Sequence, residues 1–78
     1  MDFSGDYRLA IINKNIPNMV GQISHVIGES ELNIAEMLNK SRGDYAYTLV
    51  DVVGSLDTSI VDKLKVIEGI ISVRWISA

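Results

Sequence analysis

The chain has 78 residues, of which 47% are hydrophobic and 22% are charged, and this composition is typical of one small folded domain rather than a disordered segment. Its formal net charge is −3, and its seven Lys and Arg residues are scattered, which argues against the basic surface that nucleic-acid binding requires. The sequence contains no cysteine and a single histidine, so it supports no disulfide, thiol nucleophile, metal site or cofactor.

Membrane association and secretion also lack sequence support. No apolar run approaches the roughly 18 residues of a membrane-spanning helix. The N-terminal MDFSGDYR has neither the basic start nor the apolar segment of a signal peptide. We therefore expect a cytoplasmic protein that does not contact a membrane. Because one small core supplies only a few kcal/mol, we also expect a partner chain.

The N-terminal part of the chain predicts a strand, a polar loop and a helix. Residues 7–12, YRLAII, carry β-branched and aromatic side chains and predict a strand that ends near Asn13. Pro17 has a fixed φ and no amide hydrogen, so the helix is predicted to begin near this residue. Apolar residues at intervals of three and four form its core-facing side: Met19, Val20, Ile23, Val26 and Ile27. His25 falls on the opposite side and is interpreted as a solvated surface histidine.

The middle of the chain predicts a β-hairpin. The first helix should end near Ser30, and residues 32–41 are predicted to be extended. Arg42-Gly43-Asp44 follows as a turn. Residues 45–53, YAYTLVDVV, give the strongest strand signal in the chain, so the second and third strands are predicted to pair in antiparallel fashion.

The C-terminal part predicts a second helix and a fourth strand. Ser55 or Asp57 is expected to cap the helix, and Gly69, which can adopt positive φ, is expected to end it. Its apolar residues are Ile60, Val61, Leu64 and Ile67. Residues 70–77 then predict a strand. Its two faces are expected to carry Val73 with Trp75 and Arg74 with Ile76.

The resulting βαββαβ order predicts an α+β, ferredoxin-like fold. Its four-stranded antiparallel sheet has the strand order 2-3-1-4, with two helices on one face. On the third strand, one set of alternating residues is expected beneath the helices: Ala46, Thr48, Val50 and Val52. The other set is expected on the open face: Tyr45, Tyr47, Leu49 and Asp51. Arg8, Asp51 and Arg74 should share that face as solvated charges, whose pairing contributes only about 0 to 1 kcal/mol.

Two short motifs within this element order resemble a known family. An N-x-N-x-P loop comprises Asn13, Asn15 and Pro17, and Leu-Asn-Ile-Ala occupies residues 32–35. Together they resemble the ACT domain, a small regulatory module that binds amino acids. The similarity is greatest to the C-terminal serine-binding ACT domains of D-3-phosphoglycerate dehydrogenases. It covers about residues 6–76 of what we interpret as a single domain, 1–78, with residues 1–5 as a tail.

The resemblance implies a ligand site between two chains. In those dehydrogenase domains the loop reads His-x-Asn-x-Pro-Gly, and its His and Asn hold serine together with the asparagine of Asn-Ile-Ala from a neighbouring chain. The corresponding residues here are Asn13, Asn15 and Asn33. Asn13 replaces the usual histidine, and Asn18 replaces the usual glycine. Turn formation and helix capping remain the alternative roles of the loop asparagines.

The same resemblance implies the partners and the biological role. The small core and an exposed edge strand, roughly residues 34–41, also predict a homodimer that joins through the edge of the second strand. The resemblance further implies that the chain is the excised regulatory domain of an NAD-dependent dehydrogenase of serine biosynthesis, whose catalytic domain is a partner. A module that binds another amino acid, or that only dimerises, is the alternative.

An enzyme and an RNA-binding module are the competing classes of function. Ser24 and His25 are adjacent in sequence but have no support for a catalytic triad, and there is no glycine-rich phosphate loop, so no catalytic residue is expected in this chain. RNA binding on this fold would need stacking aromatics within a basic surround. Tyr45 and Tyr47 match only the aromatic part of that requirement, and the net charge opposes it.

Overall fold

The computed structural model describes residues 5–54 and 58–77. These residues form the predicted βαββαβ order. The elements are β1 (Tyr7–Lys14), α1 (Met19–Glu29), β2 (Asn33–Arg42), β3 (Tyr45–Val53), α2 (Ser59–Lys65) and β4 (Ile70–Ser77). The four strands form one antiparallel sheet in the order β2-β3-β1-β4, which confirms the predicted topology.

Strand β1 occupies a central position in the sheet and pairs along its whole length with β3. This register places Arg8 opposite Asp51 and Asn13 opposite Ala46. On its other side, β1 pairs with β4, where Ala10 lies opposite Arg74. Because side chains alternate between faces, Arg8 and Ala10 point to the open face while Leu9 points to the helices.

The predicted boundaries were wrong by a few residues at two helix ends. Helix α1 begins at Met19 rather than Pro17, because Asn18 has φ 67° and ψ 13°, a left-handed conformation that cannot belong to an α-helix. Helix α2 ends at Lys65, before Gly69, although Gly69 does adopt the predicted positive φ, at 99°. The expected caps at residues 55 and 57 lie outside the described residues.

The core lies between the two helices and the sheet face that they cover. Val50, Val52 and Thr48 of β3 are fully buried there, as the alternation predicted. Both helices contribute residues at intervals of three or four. The apolar cluster consists of Leu9, Ile11, Met19, Ile23, Ile27, Leu32, Val50, Val52, Ile60, Leu64 and Val73.

The open face of the sheet carries apolar side chains and one buried ion pair. Tyr45 and Tyr47 are exposed on this face, as predicted. Asp51, expected to be solvated, is instead fully buried and binds Arg8 through two contacts: Nε to Oδ1 at 2.7 Å and Nη2 to Oδ2 at 3.1 Å. The Arg8 side chain is only 12% exposed. The prediction of a solvated pair was therefore wrong, because neighbouring side chains on the sheet exclude water from it.

Neither helix within residues 5–54 and 58–77 is long and apolar enough to cross a membrane.

Separating the two charges of this ion pair should strongly destabilise the domain. We expect Asp51→Leu or Arg8→Leu alone to lower the free energy of unfolding by about 3 kcal/mol or more, because each leaves a desolvated charge without its main partner. The double substitution should cost less than the sum of the two. A double-mutant cycle measured by urea unfolding tests this. If each single substitution lowered the free energy of unfolding by less than about 1 kcal/mol, the pair would behave like an exposed ion pair.

Candidate ligand-binding site

A small cavity lies where the loop between β1 and α1 meets the ends of β2 and β3. Its volume is about 160 Å³, below the roughly 300 Å³ at which pockets for drug-sized ligands begin. Four asparagines line it: Asn13, Asn15, Asn18 and Asn39. The remaining lining is contributed by Ile16, Met19, Val20, Gly21 and Ala46. The cavity therefore combines neutral amides with apolar walls and has no charged lining residue among those that the structure describes.

Asn13 is the most deeply buried of these asparagines, at 1% exposure on the helix-covered face of β1. Its Nδ2 donates to the backbone carbonyl of Lys14 at 2.9 Å. Its Oδ1 accepts from the hydroxyl of Thr48 at 3.0 Å. Both ends of the amide thus have partners within the chain, so Asn13 stabilises the sheet.

Asn15 holds the loop against the hairpin turn between β2 and β3. Its backbone N–H donates to the carbonyl of Asp44 at 2.8 Å, and its Nδ2 donates to the carbonyl of Gly43 at 3.0 Å. These two bonds join residues that are far apart in sequence. They fix the rim of the cavity while the Asn15 side chain stays exposed.

Asn18 occupies the position at which the resembling loop motif has a glycine. Its φ of 67° lies in the left-handed region, which glycine adopts freely and asparagine tolerates better than most residues. Its side chain forms no capping hydrogen bond. Instead, its Oδ1 lies over the first turn of α1, 2.7 Å from where a Cβ on Gly21 would stand. Gly21 therefore provides the space that the Asn18 side chain occupies.

The start of α1 supplies hydrogen-bond donors to the same cavity. The N–H of Gln22 donates to the carbonyl of Asn18 at 3.1 Å, which is the first bond of the helix ladder. The N–H groups of Met19, Val20 and Gly21 precede that ladder and have no acceptor within the helix. All three residues line the cavity. One wall of the cavity is therefore rich in donors and carries the partial positive charge of a helix N-terminus.

The third predicted site residue, Asn33, lies far from the other two within one chain. Asn33 pairs with Val53, whereas Asn13 pairs with Ala46, seven residues away along β3. At about 3.4 Å per residue, the two asparagines are separated by about 24 Å. A single chain therefore brings Asn13 and Asn15 together but not Asn33, and only a second chain can complete the predicted set.

Asn39 and Thr48 belong to the cavity region but were absent from the predicted site. Nδ2 of Asn39 donates to Oγ1 of Thr48 at 2.8 Å, and these residues are paired across β2 and β3. The sequence held a signal for this pair. A hairpin closed at Gly43 and Asp44 pairs residue 42 with 45 and hence 39 with 48, and a buried threonine requires a partner.

A larger groove of about 390 Å³ lies beside α1, next to Gln22, His25 and Ile67. Its polar side chains do not converge on an enclosed space. The side chain of His25 is 72% exposed, and its Nε2 lies 3.1 Å from Oε1 of Glu29. The interpretation of His25 as a surface residue is thereby confirmed. No group of three potential metal-ligating side chains occurs in residues 5–54 and 58–77.

Solved structures with the same fold include ACT domains. The ACT domain of a GTP pyrophosphokinase from Chlorobium tepidum superimposes with a TM-score of 0.73 at 24% identity, covering 97% of this chain and 100% of that one. The C-terminal domain of the MgtC protein from Mycobacterium tuberculosis gives 0.67 at 16% identity, covering 100% and 93%. No protein-family model and no curated protein matches the chain by sequence. At these identities the likeness establishes an ACT-like, ferredoxin-like fold.

The left-handed conformation of Asn18 gives a prediction for stability. Asn18→Ala should lower the free energy of unfolding by about 1 kcal/mol, because alanine adopts this conformation less readily than asparagine. Asn18→Gly, the matched control, should change the free energy of unfolding by less than about 0.5 kcal/mol. Glycine adopts positive φ more readily in the folded state, but it also makes the unfolded chain more flexible, and the two effects offset each other. Urea denaturation measures both. Equal effects of the two substitutions would contradict a conformational role for Asn18.

Proposed function

We propose that this chain is an ACT-type regulatory domain that binds a free amino acid, with L-serine as the first candidate, in the asparagine-lined cavity. In this proposal it acts as a cytoplasmic homodimer in feedback control of serine biosynthesis. The observation that carries the proposal is the composition of the cavity, which is lined by four asparagines and by the first residues of α1, whose N–H groups have no acceptor within the helix. Of the two motifs that resemble serine-binding ACT domains, the loop with Asn13 and Asn15 lines this cavity. The other motif, at residues 32–35, would reach the cavity only from a second chain.

A free amino acid suits this cavity because it is a small zwitterion. Its carboxylate can accept from the N–H groups of Met19, Val20 and Gly21, where the helix dipole is also favourable. Its ammonium group can donate to amide oxygens. Neither interaction requires a charged protein side chain, so no unpaired protein charge remains in the cavity when the ligand is absent.

The separation of Asn33 from the loop supports a dimer formed through β2. Strand β2 is an edge strand, and antiparallel pairing of two β2 strands about a two-fold axis would extend the sheet across both chains. The start of one β2 would then lie beside the end of the other. This arrangement carries Asn33 of the partner subunit towards Ser41 and Arg42, at the end of the sheet where the cavity lies.

The helix-covered side of this edge also suits an interface. Ile34 on β2 and Val20 on α1 are 38% and 39% exposed, although both are aliphatic. Val20 lines the same cavity as Asn39 of β2. A second chain that packs here would cover both aliphatic residues while its β2 strand pairs with this one.

If the site requires both chains, ligand binding and dimerisation must be linked. Serine then tightens the dimer by the free energy it gains from the assembled site, and the dimer binds serine more tightly than the monomer. This linkage is how a regulatory domain would convert ligand concentration into a change of assembly. The proposed parent is a longer D-3-phosphoglycerate dehydrogenase. A continuous upstream reading frame that encodes a dinucleotide-binding domain would test this proposal.

A second candidate function follows from the hydrogen bonds of Asn13. Because each end of its amide already has a partner, Lys14 at Nδ2 and Thr48 at Oδ1, the residue can stabilise the sheet without any ligand. The domain would then serve only for dimerisation. It could also bind an amino acid other than serine, since the substitution of histidine by Asn13 changes the group offered to the ligand.

Amino-acid titration distinguishes these functions. We expect L-serine to bind with a dissociation constant between micromolar and millimolar, and we expect Asn15→Ala and Asn33→Ala each to weaken binding by about five- to a hundred-fold through loss of one buried contact. Calorimetry or amide NMR should be run with serine, glycine, alanine and the branched-chain amino acids. Gln22→Ala, which lies outside this cavity, is a matched control that should leave binding unchanged.

The outcomes of this titration separate the proposals. Failure of every amino acid to bind at millimolar concentration would reject the sensing role and leave dimerisation. Equal binding of serine to the wild type and both variants would show that the site has been assigned to the wrong residues.

A paired substitution tests the proposed interface. We expect Ile34→Lys to shift the chain from dimer to monomer, because it places a charge in a contact that excludes water. Ile71→Lys is the matched control, since Ile71 is 51% exposed on β4, the opposite edge strand. Sedimentation equilibrium of both variants and the wild type measures the effect. A monomeric wild type at about 100 μM, or dissociation caused by Ile71→Lys instead, would count against the β2 interface.

A further inference from the structure

The hydrogen bonds around Thr48 form a connected network. In each bond, chemistry determines which atom is the donor and which is the acceptor. Nδ2 of Asn13 faces the carbonyl oxygen of Lys14, which can only accept. The other end of that amide is therefore Oδ1, which accepts from Thr48. A threonine hydroxyl has a single proton, so this bond uses it. The same oxygen must then accept from Asn39, whose Nδ2 lies 2.8 Å away.

This hydrogen-bond network determines which atom Asn39 offers to the cavity. Because Nδ2 of Asn39 is held by Thr48, its Oδ1 is turned away from that hydroxyl. Thr48 is fully buried, so the hydroxyl cannot exchange this role for a bond to bulk water. Asn39 itself is exposed and lines the cavity. It therefore presents a hydrogen-bond acceptor whose orientation is set from inside the sheet.

Asn15 has the same polarity for an independent reason. Its Nδ2 faces the carbonyl oxygen of Gly43, another group that can only accept. Its Oδ1 is thus the remaining hydrogen-bonding end of the amide. Two asparagines, on different elements, have their amino groups held by the protein and their carbonyl oxygens available at one cavity.

We propose that the Oδ1 atoms of Asn15 and Asn39 bind the ammonium group of the ligand, and that Thr48 is a positioning residue that orients Asn39. This inference rests on the proposed amino-acid-binding function and specifies the polarity of its site. The acceptor oxygens of Asn15 and Asn39 receive the ammonium group, while the N–H groups at the start of α1 receive the carboxylate. The cavity therefore selects compounds that carry a primary ammonium group.

Ligands that lack one of the two groups test this polarity directly. L-serine, 3-hydroxypropionate (serine without its ammonium group) and ethanolamine (serine without its carboxylate) should be titrated into the full chain by NMR of the side-chain amides. We expect serine and ethanolamine to shift the Asn15 and Asn39 amide signals, with ethanolamine binding more weakly. We expect 3-hydroxypropionate to bind at least about tenfold more weakly than serine, because it lacks the ammonium group.

Variants test the role of Thr48. Thr48→Val removes the hydroxyl at nearly constant shape and should weaken serine binding about tenfold, whereas Thr48→Ser should retain it. Asn39→Ala, at an exposed position, should cause a similar loss without disturbing the core. Thr48→Val and Asn39→Ala should both leave the weak binding of 3-hydroxypropionate unchanged. A general loss of structure would instead reduce that binding. Circular dichroism verifies that each variant is folded.

The possible results separate this inference from the function on which it rests. Serine and 3-hydroxypropionate binding equally well would overturn the ammonium assignment while leaving amino-acid binding intact. Unchanged serine affinity in Asn39→Ala or Thr48→Val would overturn the roles of these residues. Ethanolamine binding without binding of any amino acid would reject the sensing function and support the acceptor site. No binding of either class would overturn both.

Discussion

The antiparallel register between β1 and β3 is the constraint on which the rest of this structure depends. It places Arg8 against Asp51 on the open face and Asn13 near Thr48 on the face that the helices cover. A slip of one residue would exchange the two faces of β1, placing the arginine in the apolar core and the apolar residues outside. The two polar pairs therefore specify the register from both sides of the sheet.

The candidate site follows from this register because half of it is built on strands. Asn13, Thr48 and Asn39 lie on three adjacent strands, so their hydrogen bonds connect the middle of the sheet to its β2 edge. The other half consists of a loop that Asn15 holds to the hairpin turn. A site of this kind has rigid acceptors on the sheet and a loop wall whose position depends on a few hydrogen bonds. A change at the β2 edge can therefore reach the cavity through Asn39.

The fold itself does not distinguish among functions. Structures that superimpose on this chain come from a GTP pyrophosphokinase and from MgtC, which are different proteins. Ferredoxin-like sheets support many unrelated activities, so the case for amino-acid binding depends on the cavity residues rather than on the topology. The neutral amides and the small volume favour a small zwitterion over a nucleic acid, and the N–H groups at the start of α1 suit the carboxylate of such a ligand.

The sequence alone was enough to predict the element order, the sheet topology and most of the core. These features depend on local periodicity and turn chemistry, which are readable along the chain, as the strand at residues 45–53 and the hairpin at Gly43 illustrate. It also located the loop asparagines. It misjudged the start of α1, the end of α2 and the burial of Asp51. The start of α1 was misplaced because Asn18 adopts a left-handed conformation in which its side chain lies against Gly21.

The environments of the polar side chains depend on long-range contacts, which the sequence does not reveal. Burial of Asp51 depends on side chains from neighbouring strands, and the directed bonds from Asn39 through Thr48 to Asn13 join three strands. The same holds for the distance between Asn33 and the loop. Such contacts arise from the pairing of residues far apart in sequence, so no local pattern encodes whether a given amide is free for a ligand or engaged within the sheet.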